Sequence, residues 1–405
     1  MDIRVVQKSL LTESLIENVE VGSQSVSGGL VFDDQEKVVQ YASEWLTTLT
    51  DLQVIGYKSA QTYARNISYF IEFLSLRAEN EGLTTDEMLL RVTLSVLEDW
   101  IIHLLESECL DRSTVRNREG SLRSFYDFLS SGDYRDAVLE ASPFPKKFIS
   151  AKPHQKQVVS ASLSDLVAVM NQSPYERERL LFQFMYDSGV RISEVQRVTY
   201  RDIQEAINFS DSEFVSSKNI DVPVQPGYAP ILIRGSKGRG NSIKERFAVI
   251  TTPTLKRIAS YHASPLYRRY QARFQNRNDC PAFLNSEGNV YNESTLSKMI
   301  ERRSNAAIKK NLVSKKIHAH LFRHGSAYLT LKDPNLGEDA LERLVNVQKT
   351  LGHAFISTSE RYTSIPHDIY DSMADSSSGR LRSKIEKMQE VVERTKLRIK
   401  LGDDK

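Results

Sequence analysis

Apolar positions recur with helical period along most of this chain. Tyr63, Ile67, Phe70 and Leu74 fall three and four apart and predict one face of a helix. Trp100, Ile101, Leu104 and Leu105 predict another, with Ser95-Val96-Leu97-Glu98 before them as a capping box. Val115, Leu122, Phe125 and Leu129 line a third helix, whose other side carries Arg112, Arg116, Gly120 and Arg123. Ser162-Leu163-Ser164-Asp165 caps a helix further on. Leu180, Leu181, Phe184 and Met185 form the stripe of the next, and a short helix over Ile192–Val198 follows. The pattern then turns strand-like over Ala229–Gly235 and Lys244–Ile250. Between them lies a Gly-rich turn, Gly235-Ser236-Lys237-Gly238-Arg239-Gly240-Asn241, so the pair predicts a β-hairpin. Helices resume after Thr254, and Pro281–Leu284 reads as a further strand. Near the end Leu381, Ile385, Met388, Val392, Thr395 and Ile399 alternate four and three apart, a heptad seam.

Breaks in this pattern divide the chain. Residues 1–34 form an N-terminal extension ending in the Gly/Ser-rich stretch from Gly22 to Gly29, which reads as a flexible joint after a short helix. Residues 35–141 read as a helical bundle. Ala141-Ser142-Pro143-Phe144-Pro145 breaks the helical period, so 142–158 becomes an extended, basic interdomain linker. Residues 159–378 form a second domain. Asp375-Ser376-Ser377-Ser378-Gly379 is another joint, and the heptad helix occupies 379–405. The fold class is mainly α with a small β-hairpin (α+β).

Composition narrows the class. A length of 405 residues leaves room for two or three domains, and 40% hydrophobic residues supply a core. No apolar run approaches the length of a spanning helix, and the first eight residues lack the apolar stretch of a signal peptide. Two cysteines, Cys109 and Cys280, fit a reducing compartment, so a cytoplasmic location is expected, with no membrane partner. Net charge is only +2, but it is unevenly spread. Lys146, Lys147, Lys152 and Lys156 lie in one acid-free stripe. Arg268, Arg269, Arg273 and Arg277 form a second; Arg302, Arg303, Lys309, Lys310, Lys315 and Lys316 form a third. One such stripe is equally an ordinary solvated face; three together point to a phosphate backbone. The glycine at 120 costs about 1 kcal/mol relative to alanine inside a helix. Close approach to a DNA backbone or to a neighbouring helix would each explain it.

Four separated fragments carry chemistry: Gly189-Val190-Arg191-Ile192-Ser193-Glu194, His320-Leu321-Phe322-Arg323-His324, Leu351-Gly352-His353, and Tyr362. Two arginines, two histidines and a tyrosine suit attack on a phosphodiester without metal. Guanidinium forks grip non-bridging oxygens, and the phenol oxygen is a nucleophile. His320 and Arg323, three apart, share a helical face. Arg191 sits where a helix begins, a position that favours phosphate. Arg191 and Arg323 are the candidate clamp, His353 a further donor, His320 the group assisting deprotonation of Tyr362, and Glu194 an orienting partner. Lys237, on the hairpin, is the candidate general acid for the leaving oxygen, with Arg239 and Lys244 as alternative cations there. The competing readings are a helix cap for Arg191, a salt-bridge partner for Glu194 and a packed aromatic for Tyr362; Tyr370 lacks the spacing from His353. His318, His320 and His324 could ligate zinc, but no cysteine or carboxylate cluster completes the set, so no metal is expected. No phosphate-binding Gly-x-x-x-x-Gly-Lys-Ser/Thr loop is present, and no cofactor is expected.

With these residues in this order, the chain resembles the tyrosine recombinases of the integrase class. The family pattern maps onto Arg191, Glu194, Lys237, His320, Arg323, His353 and Tyr362, and the similarity runs from about residue 36 to 372. Phe322 stands where the family usually has Leu, and the hairpin around Lys237 is longer than usual. The resemblance implies a core-binding domain over 35–141 that closes with the catalytic domain as a clamp on DNA. Arg112, Arg116, Arg123, Lys146, Lys147, Lys152, Arg239 and Lys244 are the expected DNA-binding residues. It implies strand exchange through a 3′-phosphotyrosyl intermediate and a Holliday junction, by a homotetramer on double-stranded DNA with paired sites, together with accessory DNA-bending proteins. It also implies a C-terminal helix handed to a neighbouring protomer, with docking on its own domain as the alternative. A type IB topoisomerase and a non-catalytic DNA-binding regulator on the same fold are the alternatives.

Overall fold

The computed structural model describes residues 2–11, 24–153, 158–211, 225–237, 243–352, 359 and 382–397. Its contacts divide the chain into two compact units, one of Met1–Gln155 with Lys237–Ser242, the other of Lys156–Ser236 and Ile243–Lys405.

The first unit is a helical bundle with a strand pair laid on it. Strands β1 (Asp2–Leu11) and β2 (Gln24–Phe32) pair antiparallel. Helices α1 (Gln40–Asp51), α2 (Tyr57–Ser75), α3 (Thr85–Leu90), α4 (Leu94–Glu106) and α5 (Arg112–Ser130) follow. Their apolar faces meet in one core, where Trp45 stacks on Tyr63 at 5.4 Å and Phe70 meets Trp100 edge-on at 5.0 Å. Asp86 of α3 accepts from the free N–H groups of Gln40 and Tyr41 and so caps α1 across the bundle.

The N-terminal stretch corrects the expected joint. Gly28 and Gly29 lie inside β2, flush against α1; a Cβ on Gly28 would stand 2.6 Å from the Thr47 Cα. These glycines therefore serve close packing, which composition alone cannot separate from a loop. Helix α4 also differs: it starts at Leu94 with Thr93 as N-cap and no side-chain cap, so Ser95 lies inside it.

The expected linker is corrected as well. Phe144 is buried in the bundle core. The fully buried Glu119 of α5 accepts from the backbone N–H groups of Ile149 (2.7 Å) and Ser150 (2.9 Å). Residues 144–150 are thus folded onto α5, with only 154–157 of the proposed linker outside the described residues. Proline breaks a helix, but it does not stop the segment from packing.

The second unit is built around α7 (Glu176–Ser188), buried at every position from Glu178 onward. Helix α6 (Leu163–Asn171) precedes it, with the Ser162–Asp165 capping box in place. Next come α8 (Ile192–Val195), α9 (Tyr200–Asp211), and the antiparallel pair β3 (Tyr228–Lys237) and β4 (Ile243–Thr251). Helices α10 (Thr252–His262), α11 (Pro265–Gln271), α12 (Glu293–Lys309), α13 (Ala319–Leu331) and α14 (Ala340–Leu351) complete the shell, with α15 (Lys384–Thr395) at the end. Pro281–Leu284 forms only isolated bridges, Thr199 to Pro281 and Leu284 to Val290.

Of the two dockings open to the C-terminal helix, this chain shows the one on its own unit: α15 packs on α6, α7, α10 and β4. Its buried face is Lys384, Lys387, Met388, Val391 and Thr395, rotated from the heptad seam. The first of these is an ion pair in the core: Lys384 Nζ lies 3.1 Å from Asp187 Oδ1, and both side chains are fully buried. At the other end the Thr395 carbonyl accepts from Arg179 (2.6 Å), and its hydroxyl accepts from Arg257 (2.7 Å). Apolar periodicity misplaced the face because lysines occupy part of it.

Candidate active site

Helix α7 ends at Gly189 in the left-handed conformation (φ 64°), which turns the chain sharply into Arg191. Helix α8 then runs for only four residues, shorter than the Ile192–Val198 expected, so its dipole adds little at Arg191. The local geometry comes instead from Glu194. This carboxylate is fully buried; Oε2 accepts from the Arg191 backbone N–H (2.8 Å), and Oε1 from Arg191 Nη1 (2.9 Å). The expected orienting role of Glu194 toward Arg191 thus has a direct contact behind it. The Arg191 side chain remains 31% exposed.

Glu194 has a second cation that the sequence reading missed. Arg246 of β4 donates from Nη2 to Glu194 Oε2 at 2.7 Å. Burial pushes the Glu194 carboxyl up, but Arg246 and then the Arg191 N–H and guanidinium more than offset it, and the net shift is downward. Burial lowers Arg246 to about 10, with Glu194 opposing and Arg191 adding to the fall, so it is still a cation at neutral pH. A signal was available. Arg246 shares strand parity with the buried Ala248 and Ile250, and a charge on the core side of a strand needs a partner. The hairpin reading considered Lys244 instead, which is exposed.

Arg323 of α13 is only 2% exposed. Its two terminal nitrogens donate to the carbonyls of Gly189 and Leu351. It therefore ties the turn before Arg191 to the end of α14, directly ahead of Gly352 and His353. Gly352 is left-handed (φ 67°), and a Cβ there would stand 2.5 Å from Arg246 Cδ, so the turn allows only glycine. One buried arginine thus sits against both fragments. His320 is exposed on the first turn of α13, and its ring meets His324 at 4.3 Å, edge to face. Among the described residues no group of three or more His, Cys, Asp or Glu side chains is placed to hold a metal ion.

The described structure therefore brings together Arg191, Glu194, Arg323 and the unforeseen Arg246. Lys237 ends β3. His353, Tyr362 and Arg239 lie outside the described residues, as does the competing Tyr370.

Two of the expected DNA-binding residues of α5 make contacts within the chain. Arg123 donates to Glu119 (3.1 Å) and to the carbonyls of Pro145 (2.9 Å) and Lys147, with its guanidinium over the rings of Phe144 and Phe148. Arg116 donates to the Ser150 carbonyl (2.9 Å) and stacks on Phe148 at 3.9 Å. Both hold the 144–150 segment down, each through a backbone carbonyl and an aromatic face. Gly120 has space for a Cβ, with Phe148 4.0 Å away, so no close approach of a neighbouring helix among the described residues dictates it. Arg112, Lys146, Lys147 and Lys152 are exposed.

Comparison with known proteins agrees with this arrangement. The model of the phage integrase family matches residues 158–367, just over half of the chain. The tyrosine recombinase XerC of Listeria welshimeri is 26% identical over 314 residues, spanning 76% of this chain and 87% of the relative. That of Oceanobacillus iheyensis is 27% identical over 314 residues, with 76% and 85% covered. Among solved structures, the XerH site-specific recombinase in a post-cleavage complex with its palindromic difH substrate superposes with TM-score 0.52, at 19% identity and 76% coverage of each chain. The Tn1549 transposon integrase in complex with transposon right-end DNA does so at 0.51, with 14% identity and 82% and 97% covered. These likenesses concern the fold; among the described residues no helix is long and apolar enough to cross a membrane. The chain belongs to the phage integrase family, the tyrosine recombinases.

Proposed function

We propose that this site-specific DNA recombinase cleaves a strand through Tyr362, forming a 3′-phosphotyrosyl link and a free 5′-hydroxyl. Arg191 and Arg323 grip the scissile phosphate, His353 donates a further hydrogen bond, and His320 assists the tyrosine. Lys237 protonates the leaving 5′-oxygen, and a partner strand's 5′-hydroxyl reverses the step. The observation that supports this reading best is the buried Glu194 carboxylate bridged by two arginines, one of which keeps a partly exposed side chain. Two cations on one carboxylate leave a net positive site, which preorganised stabilisation of a charged pentavalent phosphorane requires. Protein cations do the electrostatic work and the phosphotyrosyl bond conserves the energy of the cleaved linkage, so neither metal nor ATP enters.

The enzyme acts as a homotetramer on paired double-stranded sites through a Holliday junction, in the cytoplasm on nucleoid DNA, with accessory DNA-bending proteins where a site demands them. Lys146, Lys147, Lys152, Arg112, Arg239 and Lys244 supply backbone contacts. The test is capture of SDS-resistant adducts from a library of nicked duplexes with randomised cores. Sequencing the trapped ends reports both site and stagger. Wild-type protein should yield an enriched sequence in EDTA, and Tyr362→Phe should yield none while binding the same duplex. An adduct from the Phe variant would refute the nucleophile. A protein that relaxes supercoils but never joins two sites would favour a topoisomerase instead.

A further inference from the structure

A buried carboxylate next to a catalytic arginine has a cost. Paired with Glu194 alone, Arg191 would have its charge largely cancelled where a phosphate needs it. The structure contains a counterweight. Arg246 reaches the same carboxylate from β4, with its side chain 6% exposed and its remaining donors, Nε and Nη1, buried without a hydrogen-bond partner among the described residues. Leaving donors buried and unpaired costs about 1–3 kcal/mol each. A core built for stability alone would tend to replace such an ion pair with apolar side chains of similar volume. Gly352 lies beside the Arg246 stem, where a Cβ would stand 2.5 Å from Cδ.

We propose that Arg246 is a positioning residue of the phosphate site: it neutralises the Glu194 carboxylate, so that Arg191 is held in place without losing its charge. This rests on the assignment of Arg191 as a phosphate clamp. The triad of Arg191, Glu194 and Arg246 carries one net positive charge, and removing Arg246 brings it to zero. Arg246 does not touch substrate; it acts through Glu194.

The test is a double-mutant cycle read on the nicked duplex recovered with wild-type protein, as adduct-formation rate at saturating protein beside affinity for the intact duplex. Arg246→Met should slow cleavage at least 10-fold and change affinity less than 3-fold. In a Glu194→Gln background the same substitution should cost less than 3-fold, because no carboxylate is left to neutralise. Arg246→Lys, which keeps the charge, should cleave at least several-fold faster than Arg246→Met. If Arg246→Met alone fails to fold, the Glu194→Gln background decides: a cost below 3-fold there supports the proposal, and a cost of 3-fold or more overturns it. Equal costs in both backgrounds, or no cost in either, also overturn it. If wild-type protein forms no adduct, the functional reading fails and takes this inference with it. A wild-type adduct with an unaffected Arg246→Met variant sinks only the inference.

Discussion

Glu119 in the first unit and Glu194 in the second are both fully buried carboxylates on or beside a helix, and both bind an arginine. Their surroundings differ in charge. Among the described residues Glu119 takes one cation, Arg123, and two backbone N–H groups, so its site sums to zero. Glu194 takes two cations, Arg191 and Arg246, and sums to plus one. A balanced buried carboxylate fastens a segment; one over-supplied with cations leaves charge for a ligand. Asp187 belongs to the first kind. Lys384 is its cation, and Thr251 completes it with an N–H at 3.0 Å and a hydroxyl.

The comparison is most sharply tested at Asp187. Lys384→Ala strands a buried carboxylate, which costs on the order of 3–5 kcal/mol. A fall of several degrees or more in the melting temperature of the folded chain is expected. An unchanged melting curve would show that α15 does not depend on this pair.

Arg191→Ala should have nearly as large an effect, but on rate. Loss of a preorganised donor slows cleavage on the order of 100-fold or more, and lysine rescues poorly because it cannot form the bidentate fork. The melting temperature should move little, since the side chain is partly exposed. Arg123→Ala should do the reverse, lowering stability while folded molecules cleave at the wild-type rate. If the two variants exchange these phenotypes, charge balance is the wrong criterion.

The smallest effect concerns a buried cation that forms no ion pair among the described residues, which should be a plain liability. Burial lowers Lys387 from 10.5 to about 8, with Asp333 opposing, and Nζ has no hydrogen-bond partner among the described residues. The unfolded chain binds this proton up to about pH 10.4, whereas the folded chain releases it near 8. Below pH 8 both states hold the proton, and the full penalty for burying charge applies. Between those values stability rises with pH as the penalty disappears. Lys387→Met should therefore raise the melting temperature by a few degrees at pH 7, through a gain of at most about 3 kcal/mol. The gain should shrink as pH rises from 8 toward 10.4. A gain that does not vary with pH would mean that packing, not charge, is responsible.

Legibility followed the physics of each element. Helices with a clean apolar stripe, such as α2 and α5, were readable, as was the Ser162–Asp165 cap, because both signals are local. The Gly-rich strand β2 was not, since Gly28 and Gly29 pack on the surface of α1, a contact outside any local window. The same holds for 144–150, where prolines announce a break but Glu119 decides where the segment goes. In the site, residue types and order were enough to select Arg191, Glu194 and Arg323. Arg246 stayed hidden among the cations of a hairpin.

By itself, then, the sequence determined the reaction class and the family and named the candidate residues for the phosphate site, because chemistry fixes residue type and local spacing fixes helix faces. Only the tertiary structure decided which charges cancel. It committed Arg116 and Arg123 to carbonyls, gave Lys384 to Asp187, and set two arginines on Glu194. The balance of charge at a buried group depends on neighbours brought from distant parts of the chain, and no local pattern encodes it.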